Sequence, residues 1–233
     1  MNLNSMLVWL PKVQELGIPH PRTVYVPFPH TAISPIFDGE PAPELDDYMK
    51  ALCDAASSFT FPLFLRTDLA SGKHSWVRTC FVPSLAELPQ HAINVAEQNE
   101  MAGLFGLDYE GFALREFVEL DATFKAFDGM PVAAERRYFA ENGVVKCSHP
   151  YWFEGAVAQS AQTLPEDWRE RLAILNDEQG DPDDLARWAS AVTRLLPGAW
   201  SVDFARLRDR RSWVLIDMAH AEDSWHPQHE VAA

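Results

Sequence analysis

The stretch "FPLFLRTDLASGKHSW", residues 61–76, decides how the rest of the chain is read. It opens as a strand, Phe61 to Leu65, and places a cation at its last inward position, Arg66. A small-residue turn follows, Ala70-Ser71-Gly72, and carries a second cation, Lys73. Such a turn can offer backbone N–H groups to a polyphosphate, and Gly72 lets the main chain approach closely. Lys73 would act as a point charge and Arg66 as a planar fork held on the strand. A surface loop with two solvated cations is the plain alternative. No G-x-x-x-x-G-K-[ST] pattern occurs, so a P-loop is excluded.

These cations stand out against the whole. The 233 residues carry a formal net charge of −15, with 47% hydrophobic and 23% charged residues. That length supports a sizeable core. The acidity argues against general binding to nucleic acid or an anionic membrane, which needs a positive surface. Three widely spaced cysteines, Cys53, Cys80 and Cys147, suit reduced thiols rather than a disulfide framework or a zinc site. Neither a signal peptide nor an apolar run of about eighteen residues is visible, so a soluble, cytoplasmic protein is expected.

Outward from the opening stretch, residues 6–16 read as a helix stopped by Gly17, and residues 31–43 as a Pro-rich loop. "PELDDYMKALCDAASS" reads as a helix, residues 76–82 as a strand, and "PSLAELPQHAINVAEQNEMAGLF" as a helix with Ser84 and Glu87 as a capping box. Asp128-Gly129 and Asn142-Gly143 are hairpin signals, predicting an antiparallel sheet over roughly residues 112–152. Two helices and two strands, the strands joined by a turn at about 208–211, complete the chain. The expected class is α+β: a lobe over 1–110, an antiparallel-sheet lobe over 111–226 and a tail over 227–233, with ligand in the cleft between lobes.

Two acids lie in apolar strands, Asp203 in "SVDFARL" and Asp217 in "WVLIDMA". A carboxylate there needs a partner, and two on neighbouring strands converge on a hard cation such as Mg²⁺. Salt bridges to an arginine, for which "RLRDRRS" lies between them, are the alternative. In "ERRYF", Glu135, Arg137 and Phe139 share one strand face. A mid-sheet cation would stabilise charge on a transferring phosphoryl group, or else form an ion pair with Glu135, Glu119 or Asp121. The eight histidines show no H-E-x-x-H spacing, and no G-x-S-x-G elbow is present.

In this order the parts resemble the ATP-grasp fold: the entry Leu16-Gly17-Ile18-Pro19-His20-Pro21-Arg22-Thr23, the strand and flap "PLFLRTDLASGKHSW", the hinge Arg115-Glu116-Phe117-Val118, the pair Glu135-Arg137-Phe139 with Gly143, and the acids Asp203 and Asp217. The resemblance covers nearly all of residues 7–220. It looks closest to the compact bacterial and phage clade named for its arginine and lysine pattern, and more distantly to the eukaryotic cell-division-cycle assembly chaperones. It implies an ATP- and Mg²⁺-dependent carboxylate–amine ligase acting through an acyl phosphate, its acid and amine substrates including a peptide or protein tail. Arg66 would meet the α-phosphate, and Ser71, Gly72 and Lys73 would form the flap over the outer phosphates. The backbone of Glu116, Phe117 and Val118 would read adenine, with Glu119 near the ribose. Arg137 would touch the γ-phosphate or the acyl phosphate, acting with Lys73 in catalysis, and Asp203 and Asp217 would hold Mg²⁺. The pattern departs at Ala219, where the family has asparagine, and the N-terminal substrate domain of larger ligases is not evident. An ATP-binding assembly clamp without turnover is the other function the resemblance suggests.

Overall fold

A computed structural model describes residues 2–103, 108–160, 162–177 and 182–227. The first helix, α1 (Met6–Glu15), is capped by Ser5, whose hydroxyl accepts from the Leu7 N–H, and it closes before Gly17 at φ 63°. Then come β1 (Thr23–Pro27), α2 (Ser34–Phe37), α3 (Leu45–Ala56), β2 (Leu63–Thr67), β3 (Phe81–Val82), α4 (Leu88–Gly103) and β4 (Gly111–Glu116). The four strands make one antiparallel sheet in the order β1-β4-β2-β3. Period-two alternation sends Leu63 and Leu65 of β2 toward α3 and α4, into a core with Leu52, Leu88, Val95 and Leu114. Each such leucine gains about 2 kcal/mol from full burial. Phe64 and Arg66 take the opposite face by the same alternation.

The second half supplies β5 (Ala122–Ala126), β6 (Met130–Ala133), β7 (Glu135–Glu141), β8 (Val144–Pro150), α5 (Glu154–Ala158), α6 (Trp168–Asp177), α7 (Asp183–Thr193), β9 (Ala199–Arg206) and β10 (Trp213–His220). A second antiparallel sheet runs β10-β9-β7-β8, and β5 pairs with β6. Asn142 and Gly143 turn β7 into β8 with φ 50° and 79°, the left-handed pair a tight hairpin requires. Trp200, Val202 and Phe204 of β9 pack with α1 and α7 through Trp9, Val13 and Val192. The other face of this sheet turns toward the first.

Several expectations need correction. The single sheet over 112–152 is divided three ways, because β4 finds β1 and β2, β5 and β6 find each other, and β7 finds β9. The lobe boundary after residue 110 precedes β4, yet β4 completes the first sheet, while α1 packs on the second. β2 begins at Leu63 and continues through Arg66 to Thr67. Residues 76–82 are a 3-10 turn, Lys73–Arg78, followed by the two-residue β3. Ser84 donates to the Glu87 carboxylate rather than capping a helix, and α4 starts at Leu88. An earlier start would leave Pro89 inside the helix, where it has no N–H to give. The Pro-rich loop contains α2. Of the expected tail, residues 228–233 lie outside the described residues. Among the described residues no helix is long and apolar enough to cross a membrane.

Candidate functional site

Three neighbouring strands of the second sheet align charged residues by register. Arg137 on β7 sits opposite Asp203 on β9, and Asp203 sits opposite Asp217 on β10. The second pairing depends on a one-residue shift between Leu215 and Asp217, an irregularity that re-aims Asp217. Arg137 grips Asp203 with two bonds, Nε to Oδ1 at 2.8 Å and Nη2 to Oδ2 at 2.7 Å. From the first sheet, Arg66 donates from Nη1 to Asp217 Oδ1 at 2.8 Å. Both acids therefore have arginine partners, but from β7 and β2, not from the "RLRDRRS" segment. There, Arg208 pairs with Glu119, and Arg206 and Arg210 with Asp121. Arg66, Lys73 and Arg115 together hold the Asp217 carboxyl below its usual range against the opposing effect of burial.

Arg66 is further fixed by the carbonyls of Thr67 and Leu69. Beside it, Arg115 donates to the Ile216 carbonyl at 2.6 Å and to Thr23 Oγ1 at 3.3 Å, and its Nη2 is buried without a hydrogen-bond partner. Burial, and then Arg66, push the Arg115 pKa down to about 10. An orphaned buried donor between two sheets marks a place prepared for an anion.

Lys73 enters from the loop after β2. Gly72 makes that path with φ 60°, and a Cβ there would stand 2.5 Å from Gln98 Oε1. The Lys73 ammonium donates to Tyr151 Oη at 2.6 Å and lies 4.4 Å from that ring's centroid. Burial opposes its charge, yet Tyr151, Glu135 and Asp203 outweigh burial and hold its pKa above the ordinary lysine range. Glu135 accepts from Trp152 Nε1 at 3.0 Å. Burial, with Asp203 adding to it against Lys73, raises the Glu135 pKa from 4.5 to about 7.

That shift has a definite sign. Below pH 4.5 the carboxyl is protonated folded or unfolded and changes nothing. Between 4.5 and 7 the unfolded chain ionises first, so stability falls as pH rises, and levels off above 7 after a loss of about 3 kcal/mol. Glu135→Gln abolishes this component. The difference in urea unfolding free energy between wild type and Glu135→Gln is expected to change by about 3 kcal/mol from pH 4 to pH 8. A pH-independent difference would mean that Glu135 ionises normally.

Arg66, Ser71, Lys73, Glu116, Phe117, Val118, Asp203 and Asp217 line one cleft between the sheets, with Gly72 on the same loop. Arg137 stands beyond Asp203, in an adjoining hollow. Glu119 is outside the cleft, ion-paired at the surface to Arg208 at 2.8 Å. The sequence alone assigns no role to Arg115, Glu135, Tyr151 or Trp152. Arg115 sits within the hinge motif and Glu135 on the Arg137 face. The two aromatics have no signal beyond the run "YWF".

A family model for an ATP-grasp domain, the third family of the clade named for its arginine and lysine pattern, matches residues 45–233. No curated protein matches the chain. Among solved structures, N5-carboxyaminoimidazole synthase from Aspergillus clavatus, in complex with ADP and 5-aminoimidazole ribonucleotide, is similar at 12% identity and TM-score 0.48, over 94% of this chain and 44% of that one. The ATP-grasp ligase PsnB complexed with minimal precursor is similar at 9% and 0.48, over 99% and 56%. An ATP-grasp RimK domain protein from Sphaerobacter thermophilus is similar at 14% and 0.48, over 94% and 58%. The chain spans about half the length of the solved chains it matches.

Proposed function

Since the chain belongs to the ATP-grasp family, in its arginine-and-lysine clade, over residues 45–233, we propose that it is an ATP- and Mg²⁺-dependent ligase joining a carboxylate to an amine. One observation carries this reading: Arg66 and Lys73 from the first sheet meet Asp203 and Asp217 from the second across a single cleft. The adenine would lie against the backbone of Glu116–Val118, with Glu119 on the ribose side. Arg66 would take the α-phosphate, helped by the unpartnered Arg115 Nη2, and Ser71, Gly72 and Lys73 would close over the outer phosphates.

In the reaction a substrate carboxylate oxygen bonds to the γ-phosphorus, and the bridging β–γ P–O bond breaks, releasing ADP. The amine nitrogen then bonds to the acyl carbon, the C–O bond to phosphate breaks, inorganic phosphate leaves, and the nitrogen's surplus proton passes to water. Lys73 and Arg137 would neutralise the oxygens on which charge builds, and the rigid sheets would keep the groups in line. Asp203 and Asp217 would hold Mg²⁺, which binds through one or two carboxylates with phosphate and water completing its shell. The donor set fits that requirement: the acids are adjacent in register, and Asp217 Oδ2 accepts no hydrogen bond among the described residues. When bound, the ion would spread negative charge over the phosphate oxygens.

A nucleotide-held clamp without turnover draws on one contrary observation. Ala219, opposite Ser201 on β10, offers no ligand, and among the described residues no group of three His, Cys, Asp or Glu could hold a metal. Titration calorimetry with ATP and Mg²⁺ followed by a phosphate-release assay separates the two. Binding with a Kd between about 1 μM and 1 mM is expected, with release stimulated by a pool of peptides and amino acids. Binding without release for any acceptor means the clamp. A flat titration removes both.

A further inference from the structure

Past Trp152, which lines both spaces, the cleft gives onto a larger hollow of about 1010 Å³ that the reaction above leaves unassigned. Its walls are built from stacked rings. His74 lies on Phe127 with centroids 4.8 Å apart, Phe127 on Trp152 at 6.0 Å, and Phe153 on Trp225 at 3.9 Å, all within 24° of parallel. Arg137 sits at the end nearest the cleft, its guanidinium 4.6 Å from the Tyr151 ring and held by the Trp225 carbonyl at 3.4 Å. Arg78 stands at the exposed mouth, 3.8 Å from Asp128 on the facing turn.

Burial, and then Lys73, lower the His74 pKa, so that ring is neutral at pH 7. The lining charges are then two arginines against one aspartate, in a chain whose formal net charge is −15. A cationic hollow in so acidic a molecule selects an anionic partner. Its size is at the upper end for small-ligand sites, about 300–1,000 Å³. Planar apolar walls add affinity for aliphatic or aromatic side chains. Nε and Nη2 of Arg137 are committed to Asp203, whereas Nη1 makes only the long bond to Trp225, leaving a donor at the point nearest the reacting phosphate. Tyr151 and Trp225 close in on that guanidinium, so a chain can end there but not run on.

We infer that this hollow seats the C-terminal end of a peptide, with its terminal carboxylate on Arg137 Nη1 and its last apolar side chains on the stacked rings. This identifies the carboxylate substrate of the ligase reading, on which it rests. The test is calorimetry on the full chain, first with AMPPNP and Mg²⁺ alone, then adding the peptide Ac-Ala-Ser-Ala-Ser-Phe-Leu as free acid or C-terminal amide. A third probe is an amidated peptide of the same length with an internal Glu, and a fourth is free leucine. The free acid is expected to bind at least tenfold tighter than each of the others, the scale of a lost charge-assisted contact. Arg78→Glu, an exposed change, should weaken it about fivefold and leave AMPPNP binding unaltered. Equal binding of the amide, preference for the internal Glu or for leucine, or AMPPNP binding with no peptide binding would each overturn the assignment. Failure of AMPPNP to bind while the free acid still binds selectively would end the nucleotide reading and leave the peptide site standing.

Discussion

Lys73→Met lowers ATP-driven phosphate release by about 10³-fold with the fold retained, the scale seen when one preorganised cation is removed from a transferring phosphoryl group. The methionine keeps an unbranched apolar stem, so what disappears is the ammonium and its 2.6 Å bond to Tyr151. The electrostatic consequence within the cleft is mild. Lys73 restrains the rise of the Glu135 pKa, and without it that carboxyl, already near 7, is neutral at physiological pH. No stranded charge results, so the melting temperature should move little. Single-turnover phosphate release and a circular-dichroism melt check both halves. Undiminished release would remove Lys73, and the loop that carries it, from the chemistry.

Arg137→Ala has the largest expected effect on stability. Asp203 keeps only 6% of its side chain exposed and receives both Nε and Nη2 from Arg137. Removing the arginine leaves a buried carboxylate unpaired, a loss of about 3–5 kcal/mol. In a domain of this size that lowers the melting temperature by about 10 °C. The pair is not itself a large net source of stability, because two ions had to leave water to form it. The double variant Arg137→Ala with Asp203→Ala should therefore recover most of the loss in urea unfolding, a non-additivity diagnostic of direct contact. Arg66→Ala is the internal comparison: its partner Asp217 is 38% exposed and can recover solvent, so the cost is smaller. Additive single and double variants would show that Arg137 and Asp203 do not meet.

These two residues also show how far a linear reading reaches. The loop Ala70–Lys73 is legible because glycine and a cation beside a strand have local meaning. The Asn142-Gly143 turn is legible for the same reason. Both acids in apolar strands are visible as anomalies requiring partners. Which partner each takes is not visible: Arg137 has Glu135, Glu119 and Asp121 as candidates and bonds Asp203, 66 positions away. Tyr151 and Trp152 carry no local signature, since aromatic residues look alike whether they fill a core or hold a lysine.

By itself the amino-acid order determined the elements with strong periodicity, the hairpin turns, the ATP-grasp order of parts and the short set of residues able to handle phosphate. Tertiary structure decided their convergence. Had β10 run in uninterrupted register, Asp217 would face Val202 and point among the side chains of α1 and α7. The irregularity at Ile216 places it beside Asp203 instead, opposite Arg66. The reason is geometric. Side chains alternate strictly along a strand, so one extra residue reverses which face an acid occupies, and whether it is accommodated depends on strands far away in sequence.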